Sequence, residues 1–314
     1  MVELTIPSLD QINNLEVFKK YGEEASITDF SILLGGYVNN SYYTKEGNTL
    51  EDRTGFYWTR IDDGDNYDYV VFWYNYDFYR RVDSRYGGAR PVLPYSSISN
   101  ISQNITKIED GILEVEYGEY PQKAVSKDLQ QKLEVLYKNN NLNKTGKTYT
   151  TDSRKYDEYD KAFQTQIHIE YEYNGKKYIR VKANSCFGGS EFDLSNGEKY
   201  RDGYYVWVEV SPIKWIVDEK EDIAVTKNLI FSGIQFNREK NYKGNFKSTD
   251  MYKFLNEIFI KDIIPSKKDL EEIVRIKREN VKKAMLEYNE ALKEYLRVDD
   301  EEFIQKTFSK RKNN

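Results

Sequence analysis

A chain of 314 residues with 39% hydrophobic and 32% charged side chains carries enough core formers for a folded globular protein, and its length allows about two domains. The formal charge of −5 argues against nucleic acid as the default partner, and one cysteine, Cys186, excludes an intrachain disulfide or a cysteine-based zinc site. The opening MVELTIPSLDQ has neither the basic nor the apolar region of a signal peptide, and no run approaches the ~20 apolar residues of a membrane span. A cytoplasmic location is therefore expected, with a phage particle or an injected protein as the alternative setting.

In chain order, residues 3–8 read as a short strand and Ser8 as the cap of a helix over 9–20. Leu9, Ile12, Leu15, Val17 and Phe18 lie near helical spacing there. Ile27-Thr28-Asp29 opens a second short helix through Leu34, stopped by Gly35-Gly36. After a loop-like stretch over 42–52 comes the aromatic segment Gly55–Leu93. Tyr57-Trp58 and Val70-Val71-Phe72-Trp73-Tyr74 suit a pleated sheet, and Asp62-Asp63-Gly64-Asp65-Asn66 between them supplies a tight turn. Tyr86-Gly87-Gly88 can bend sharply, and Pro91 places the next segment at a sheet edge or a strand start. A hairpin followed by a strand closing a small mixed sheet is predicted. Residues 97–112, opened by a Ser- and Asn-rich run, read as a linker.

Further on, 112–117 alternate as a strand, and Ser126 caps a helix over 127–139 with Leu129, Leu133 and Leu136 on one stripe. The run NNNLNKTGKTYTT, residues 139–151, reads as a polar loop. Strands over 164–172 and 177–182 flank Asn174-Gly175, the strongest hairpin signal in the chain. Strands over 204–210 and 213–217, split by Pro212, precede another over 223–231 and a short helix over 250–259. From Ile264 the character changes. Ser266 and Asp269 form a capping box, and Val274, Val281, Tyr288 and Tyr295 recur every seven residues. That spacing predicts one helix of about 30 residues, roughly 45 Å long, whose interaction face is those four side chains. Lys277, Ala284 and Ala291 lie between them, and Lys277 in the seam disfavours a tight symmetric dimer. The basic tail residues Lys306, Lys310, Arg311 and Lys312 are the one feature suited to an anionic surface.

Candidate chemistry is sparse. His168, the only histidine, sits in the alternating run Gln166-Ile167-His168-Ile169, which reads as a strand position. No G-x-S-x-G elbow accompanies it, and Cys186 has no histidine near it in sequence. Neither GxxxxGK[ST] nor GxGxxG occurs. Asp63, Asp65 and Asp68 offer the oxygen ligands calcium prefers, yet the glutamate at the twelfth loop position is absent, and a solvated acidic hairpin tip is the simpler reading. No cofactor is expected and an enzyme is disfavoured. Twenty-eight tyrosines suit core edges and binding surfaces alike, since the ring buries while the hydroxyl seeks a partner. The candidate binding surface is Tyr67, Tyr69, Trp73, Tyr74 and Tyr76 with Asp62, Asp63 and Asp65.

Several short motifs carry a resemblance. Gly55-Phe56-Tyr57-Trp58-Thr59-Arg60 followed by Tyr86-Gly87-Gly88-Ala89-Arg90-Pro91-Val92-Leu93 resembles the "WWLRS … GVRPAL" ending of an uncharacterised domain family common in Firmicutes. Leu4–Gln11 is similar to that family's "FLLS-x-x-E", and Val115–Gln122 to its opening "FGxYPQ". Pro212–Val217 resembles "PIxWxVL", and Tyr252–Asn256 resembles "LR-x-W-L-N". The resemblance covers most of residues 3–262, with Thr59 replacing an apolar residue and 250–253 matching only loosely. It implies a fold related to C-type lectins and sulfatase-modifying enzymes, with Trp58, Arg60, Arg90, Pro91 and Trp215 in structural roles. The family has no established catalytic residues, so none transfer. Its closing motifs come first here and its opening motifs second, as in a circular permutation, which surface termini make physically cheap.

The sequence therefore predicts an α+β protein with mixed, mostly antiparallel sheets, short helices, a C-type-lectin-like body and a long C-terminal helix. Residues 1–96 and 113–263 form two halves of one intertwined module, joined by 97–112, and 264–314 form a helical arm and basic tail. The expected function is a non-enzymatic module that binds another protein, or a glycan, through aromatic and acidic loops. The alternative is an intracellular effector or inhibitor of phage or mobile-element origin that blocks a basic site, such as that of a nucleic-acid enzyme.

Overall fold

The structure, a computed structural model, describes residues 3–21, 26–36, 56–60, 70–72, 87–151, 167–183, 193–231, 236–237, 245–264 and 267–311. In chain order the elements are α1 (Leu9–Asn14), α2 (Glu16–Tyr21), α3 (Asp29–Leu33), β1 (Phe56–Thr59), β2 (Val70–Phe72), β3 (Gly87–Gly88), β4 (Val92–Pro94), β5 (Gln103–Glu109), β6 (Ile112–Ala124) and α4 (Lys127–Lys138). After these come β7 (Asn143–Thr150), β8 (Ile167–Tyr173), β9 (Lys176–Lys182), β10 (Tyr205–Asp218), β11 (Ile223–Thr226), α5 (Asp250–Lys253), α6 (Ile260–Ile263) and α7 (Lys267–Arg311). The protein is α+β, with a mostly antiparallel sheet and a C-terminal helix. Contacts divide it into two units, Met1–Ile264 and Pro265–Asn314.

The main sheet is organised on β10. One side of that strand pairs with β6 from Val208 to Asp218. The other side is shared: β9 takes Tyr205–Val210 and β11 takes Trp215–Asp218. Beyond β9 lie β8 and β7, beyond β11 lies β4, and beyond β6 lies β5. Pro212 does not split β10. The ladder instead shifts register between Glu209 and Val210 and again between Pro212 and Lys214, opposite Pro121 and Glu119 of β6. Prolines cannot donate to a ladder, so they sit at such irregularities. Gln122 makes good the disturbed backbone, donating from Nε2 to the carbonyls of Ser211 and Pro212 at 2.9 Å each.

A small three-stranded sheet, β2-β1-β3, is mixed as predicted: β1 and β2 are antiparallel, β1 and β3 parallel. The hairpin turn itself lies outside the described residues. The Asn174-Gly175 hairpin also forms, with both residues at positive φ, 51° and 73°, as a type I′ turn demands. Thr28 caps α3 by accepting from the Ser31 N–H, and Gly35, at φ 95°, ends that helical turn.

Other expectations need correction. Among the described residues, residues 3–8 make isolated bridges, Thr5 to Val92 and Ser8 to Arg60, and no strand. The helix over 9–20 is two, because Leu15 adopts an extended conformation and caps α1, whose Ser8–Gln11 capping box is complete. The linker 97–112 holds β5, whose mostly exposed, polar run gives no apolar alternation to read. The polar loop 139–151 holds β7, and α7 reaches 45 residues rather than about 30. The segment after α5 is π-helical over Phe254–Phe259 before α6.

Among the described residues, two buried clusters hold the body together. The larger runs from Leu4 to Ile263 and includes Trp215, whose indole N–H donates to the Tyr117 carbonyl at 2.9 Å. The smaller lies under α4, where Leu133 meets Tyr171, Tyr178 and Trp207. Arg180 clamps that helix through two 2.9 Å bonds to Glu134. Close approach explains Gly88, where an added Cβ would stand 2.1 Å from the Phe231 carbonyl.

Arg90 is fully buried. Its Nε donates to the Thr226 carbonyl and its Nη2 to the Tyr21 carbonyl, both at 2.9 Å, while its guanidinium lies 5.6 Å from the Tyr57 ring centroid. One side chain thus joins α2, β1 and the end of β11. A lysine there would keep the charge but lose the planar fork that reaches both carbonyls. Arg90→Lys should cost about 2–4 kcal/mol, the penalty of unsatisfied buried groups. Chemical denaturation checks this, and an unchanged midpoint would show that Arg90 has no anchoring role.

Candidate functional site

The aromatic and acidic candidates Tyr67, Tyr69, Trp73, Tyr74, Tyr76, Asp62, Asp63 and Asp65, the calcium candidate Asp68, and Cys186 all lie outside the described residues. Trp58 is on β1, in register with Val71. Arg60 bridges to Ser8 and donates from Nε to the Ile6 carbonyl at 3.3 Å. Pro91 is buried, and its carbonyl accepts from the Thr226 N–H. Asn256, from the last of the motifs, grips the Leu4 backbone from both sides. Its Oδ1 accepts from the Leu4 N–H and its Nδ2 donates to the Leu4 carbonyl, each at 2.8 Å. These motif residues fasten segments far apart in sequence.

A polar cluster that sequence reasoning missed lies between β7, β8 and α6. On β7 Thr145 is exposed, Lys147 half-buried and Tyr149 buried, and an irregularity in the pairing with β8 between Lys144 and Thr148 sets all three close to Glu170 inside a run that looks like loop. The buried carboxylate of Glu170 accepts from the Thr145 hydroxyl at 2.7 Å and from the Tyr149 hydroxyl at 2.6 Å. The Lys147 ammonium stands 4.9 Å from the Tyr149 ring centroid. Burial lowers the Lys147 pKa, with Glu170 and Glu119 pulling the other way. Burial, reinforced by the bond to Glu170, raises that of Tyr149.

Asp262 completes the cluster. Burial pushes its pKa up to about 6, against the charge of Lys147 and a hydrogen bond from the Thr150 backbone. Its Oδ2 has no hydrogen-bond partner among the described residues, and neither has the Tyr120 hydroxyl. The cluster thus sets a carboxyl whose pKa burial raises beside a half-buried lysine whose pKa burial lowers. Among the described residues, no group of three His, Cys, Asp or Glu side chains is placed to hold a metal.

His168 occupies the structural strand position expected of it. It is buried edge-on against Phe30, with ring centroids 5.4 Å apart. Burial pushes its pKa down to about 4, opposed by a backbone hydrogen bond with Arg180.

The second candidate surface is α7. Val274, Val281, Tyr288 and Tyr295 are 41%, 59%, 69% and 64% exposed. Met285 and Leu292, at 60% and 41%, fill the spacings between the last three, where the heptad pattern alone points to Ala284 and Ala291. Among the described residues, no helix is long and apolar enough to cross a membrane. Comparison of the chain with protein-family models, with curated proteins and with solved structures finds no match.

Asp262 and His168 set opposite pH dependences. The folded pKa of Asp262 is raised from 3.8 to about 6, so its contribution to stability grows as pH falls through that interval. The folded pKa of His168 is depressed from 6.5 to about 4, so its contribution is complete above 6.5 and is lost as pH falls towards 4. Asp262→Asn keeps an acceptor for the Thr150 N–H and removes the ionisation. The variant should melt above the wild type near neutral pH, with the difference vanishing towards pH 4. Melting curves across that range test it, and a pH-independent difference would refute the assignment.

Proposed function

We propose that this protein is a non-enzymatic binding module, a lectin-like α+β body that recognises another protein or a glycan and carries a helical arm for assembly or docking. The observation that carries the reading is the apolar stripe of α7, four heptad-spaced side chains each at least 41% exposed. Most helical stability in proteins comes from packing an apolar face, and a contiguous exposed patch marks an interaction surface. The lectin-like part of the reading draws support from the family-like motifs. Arg90, Trp215, Gln122 and Asn256 each make backbone hydrogen bonds that join distant segments, as residues with architectural roles do.

Removing residues 265–314 tests the role of the arm. The body should keep its melting temperature and remain monodisperse, because its core runs from Leu4 to Ile263. Association seen with the full chain in light scattering or affinity capture should disappear. Aggregation of the shortened chain would mean that the arm covers core. Unchanged association would mean that it binds nothing, and either result overturns this role for the arm.

A further inference from the structure

The partner that fits α7 best is a second copy of itself, and we infer that two chains associate by laying their α7 helices antiparallel; this rests on the reading of α7 as an interaction arm. Val274, Val281, Met285, Tyr288, Leu292 and Tyr295 succeed one another at spacings of seven, four, three, four and three residues. Alternating steps of three and four keep side chains on one seam of a helix. All six are exposed by 41% or more. From Val274 to Tyr295 the seam is about 32 Å long at 1.5 Å per residue, roughly three heptads.

Charge selects both the occupant and its direction. Between Lys267 and Lys283 the helix has seven basic and four acidic residues, 7 − 4 = +3. Between Ala284 and Glu302 it has two basic and seven acidic residues, 2 − 7 = −5. A parallel pair would set each half against its own sign. An antiparallel pair sets +3 against −5 twice, once at each end of the seam. Like charges across an interface are repulsive and opposite charges fix register, so sign sets direction.

The antiparallel arrangement also resolves the difficulty posed by Lys277. In a parallel dimer it would face its own copy in the seam. With a two-fold axis near Ala284 and Met285, Lys277 and its neighbour Arg278, which holds the place that Met285 and Leu292 hold in the later heptads, lie instead opposite Leu292 and Ala291, with Glu290 and Glu294 on either side. The same axis brings Val274 near Tyr295 of the second copy and Val281 near Tyr288. The large tyrosines at one end then meet the smaller valines at the other.

The test uses the full chain with Cys186→Ser, which removes the native thiol. Sedimentation or light scattering should give twice the 37.2 kDa chain mass at micromolar concentrations. High salt should weaken the dimer several-fold, since screening shortens the reach of charge to about 3 Å at 1 M. Chains carrying Val274→Cys, mixed with chains carrying Tyr295→Cys, should cross-link several times more efficiently than either alone. A dimer in which Val274→Cys cross-links to itself as well as to Tyr295→Cys overturns the antiparallel arrangement. A single-chain mass at every concentration overturns self-association. If the full chain then still captured a different protein through the arm, the docking reading would stand without this inference; if it captured none, both would fall.

Discussion

The ladder between β6 and β10 is the constraint on which the body depends. Two strands of 13 and 14 residues run antiparallel for most of their length, and each carries a proline where the pairing slips. The shift between Pro212 and Lys214 lies between the part of β10 that pairs with β9 and the part that pairs with β11, and the shift between Glu209 and Val210 falls at the end of the β9-paired part. A single strand can therefore serve two different neighbours on one side while β6 continues along the other. Bulges bend a strand and increase its local twist. The Gln122 amide bonds to Ser211 and Pro212 supply donors where a proline cannot, so the irregularity is stabilised rather than merely tolerated.

Tyr120 converts that ladder into a core. It sits on β6 beside the bulge, and its ring meets Phe30, Tyr149, Phe231 and Phe259 edge-on at 5.0–5.6 Å. Edge-to-face pairs contribute about 0.5–1.5 kcal/mol each beyond area burial. The four rings come from α3, β7, the chain beyond β11 and the π-helical segment, so one tyrosine joins segments from both halves of the body. The arrangement has a polar consequence. It places the Tyr120 hydroxyl in the same neighbourhood as Asp262, whose charge adds to burial in raising the tyrosine's pKa. Gly118 makes the approach of α6 feasible, since a Cβ there would stand 2.8 Å from the Ile263 carbonyl.

Local signals are readable where the chemistry is local. Asn174-Gly175 can take positive φ at both turn positions, Thr28 can cap a helix, and the valine-rich part of β10 alternates. Tertiary compensation is not readable. Pro212 looks like a strand break until Gln122, 90 residues away, is seen bonded to its carbonyl. β7 looks like a loop because edge strands favour polar and lysine residues, and its one large buried side chain, Tyr149, is held by Glu170 of the next strand. The polar cluster is illegible for the same reason: Lys147, Glu170 and Asp262 belong to three separate elements. The exposed apolar stripe of α7 is legible in outline, because a heptad spacing is local, but Met285 and Leu292 emerge only with their exposure.

The arm and the body are stabilised by different means, and this bears on how the arm can bind. Between Lys267 and Arg311 there is neither glycine nor proline, and Glu, Lys, Leu and Arg dominate. These are strong helix formers. Ion pairs such as Arg275–Glu279 at 2.7 Å, with the side chains four residues apart, each add about 0.2–0.5 kcal/mol. A long helix supported by such local terms needs no partner to form. Docking it costs less conformational entropy than ordering an unfolded segment would, since the backbone is already fixed. In the proposed association, more of the free energy gained by covering Val274, Val281, Met285, Tyr288, Leu292 and Tyr295 would then survive as affinity. The mixed charges flanking that seam would add direction to the proposed association at little cost, because a rim charge governs encounter and register more than the depth of binding.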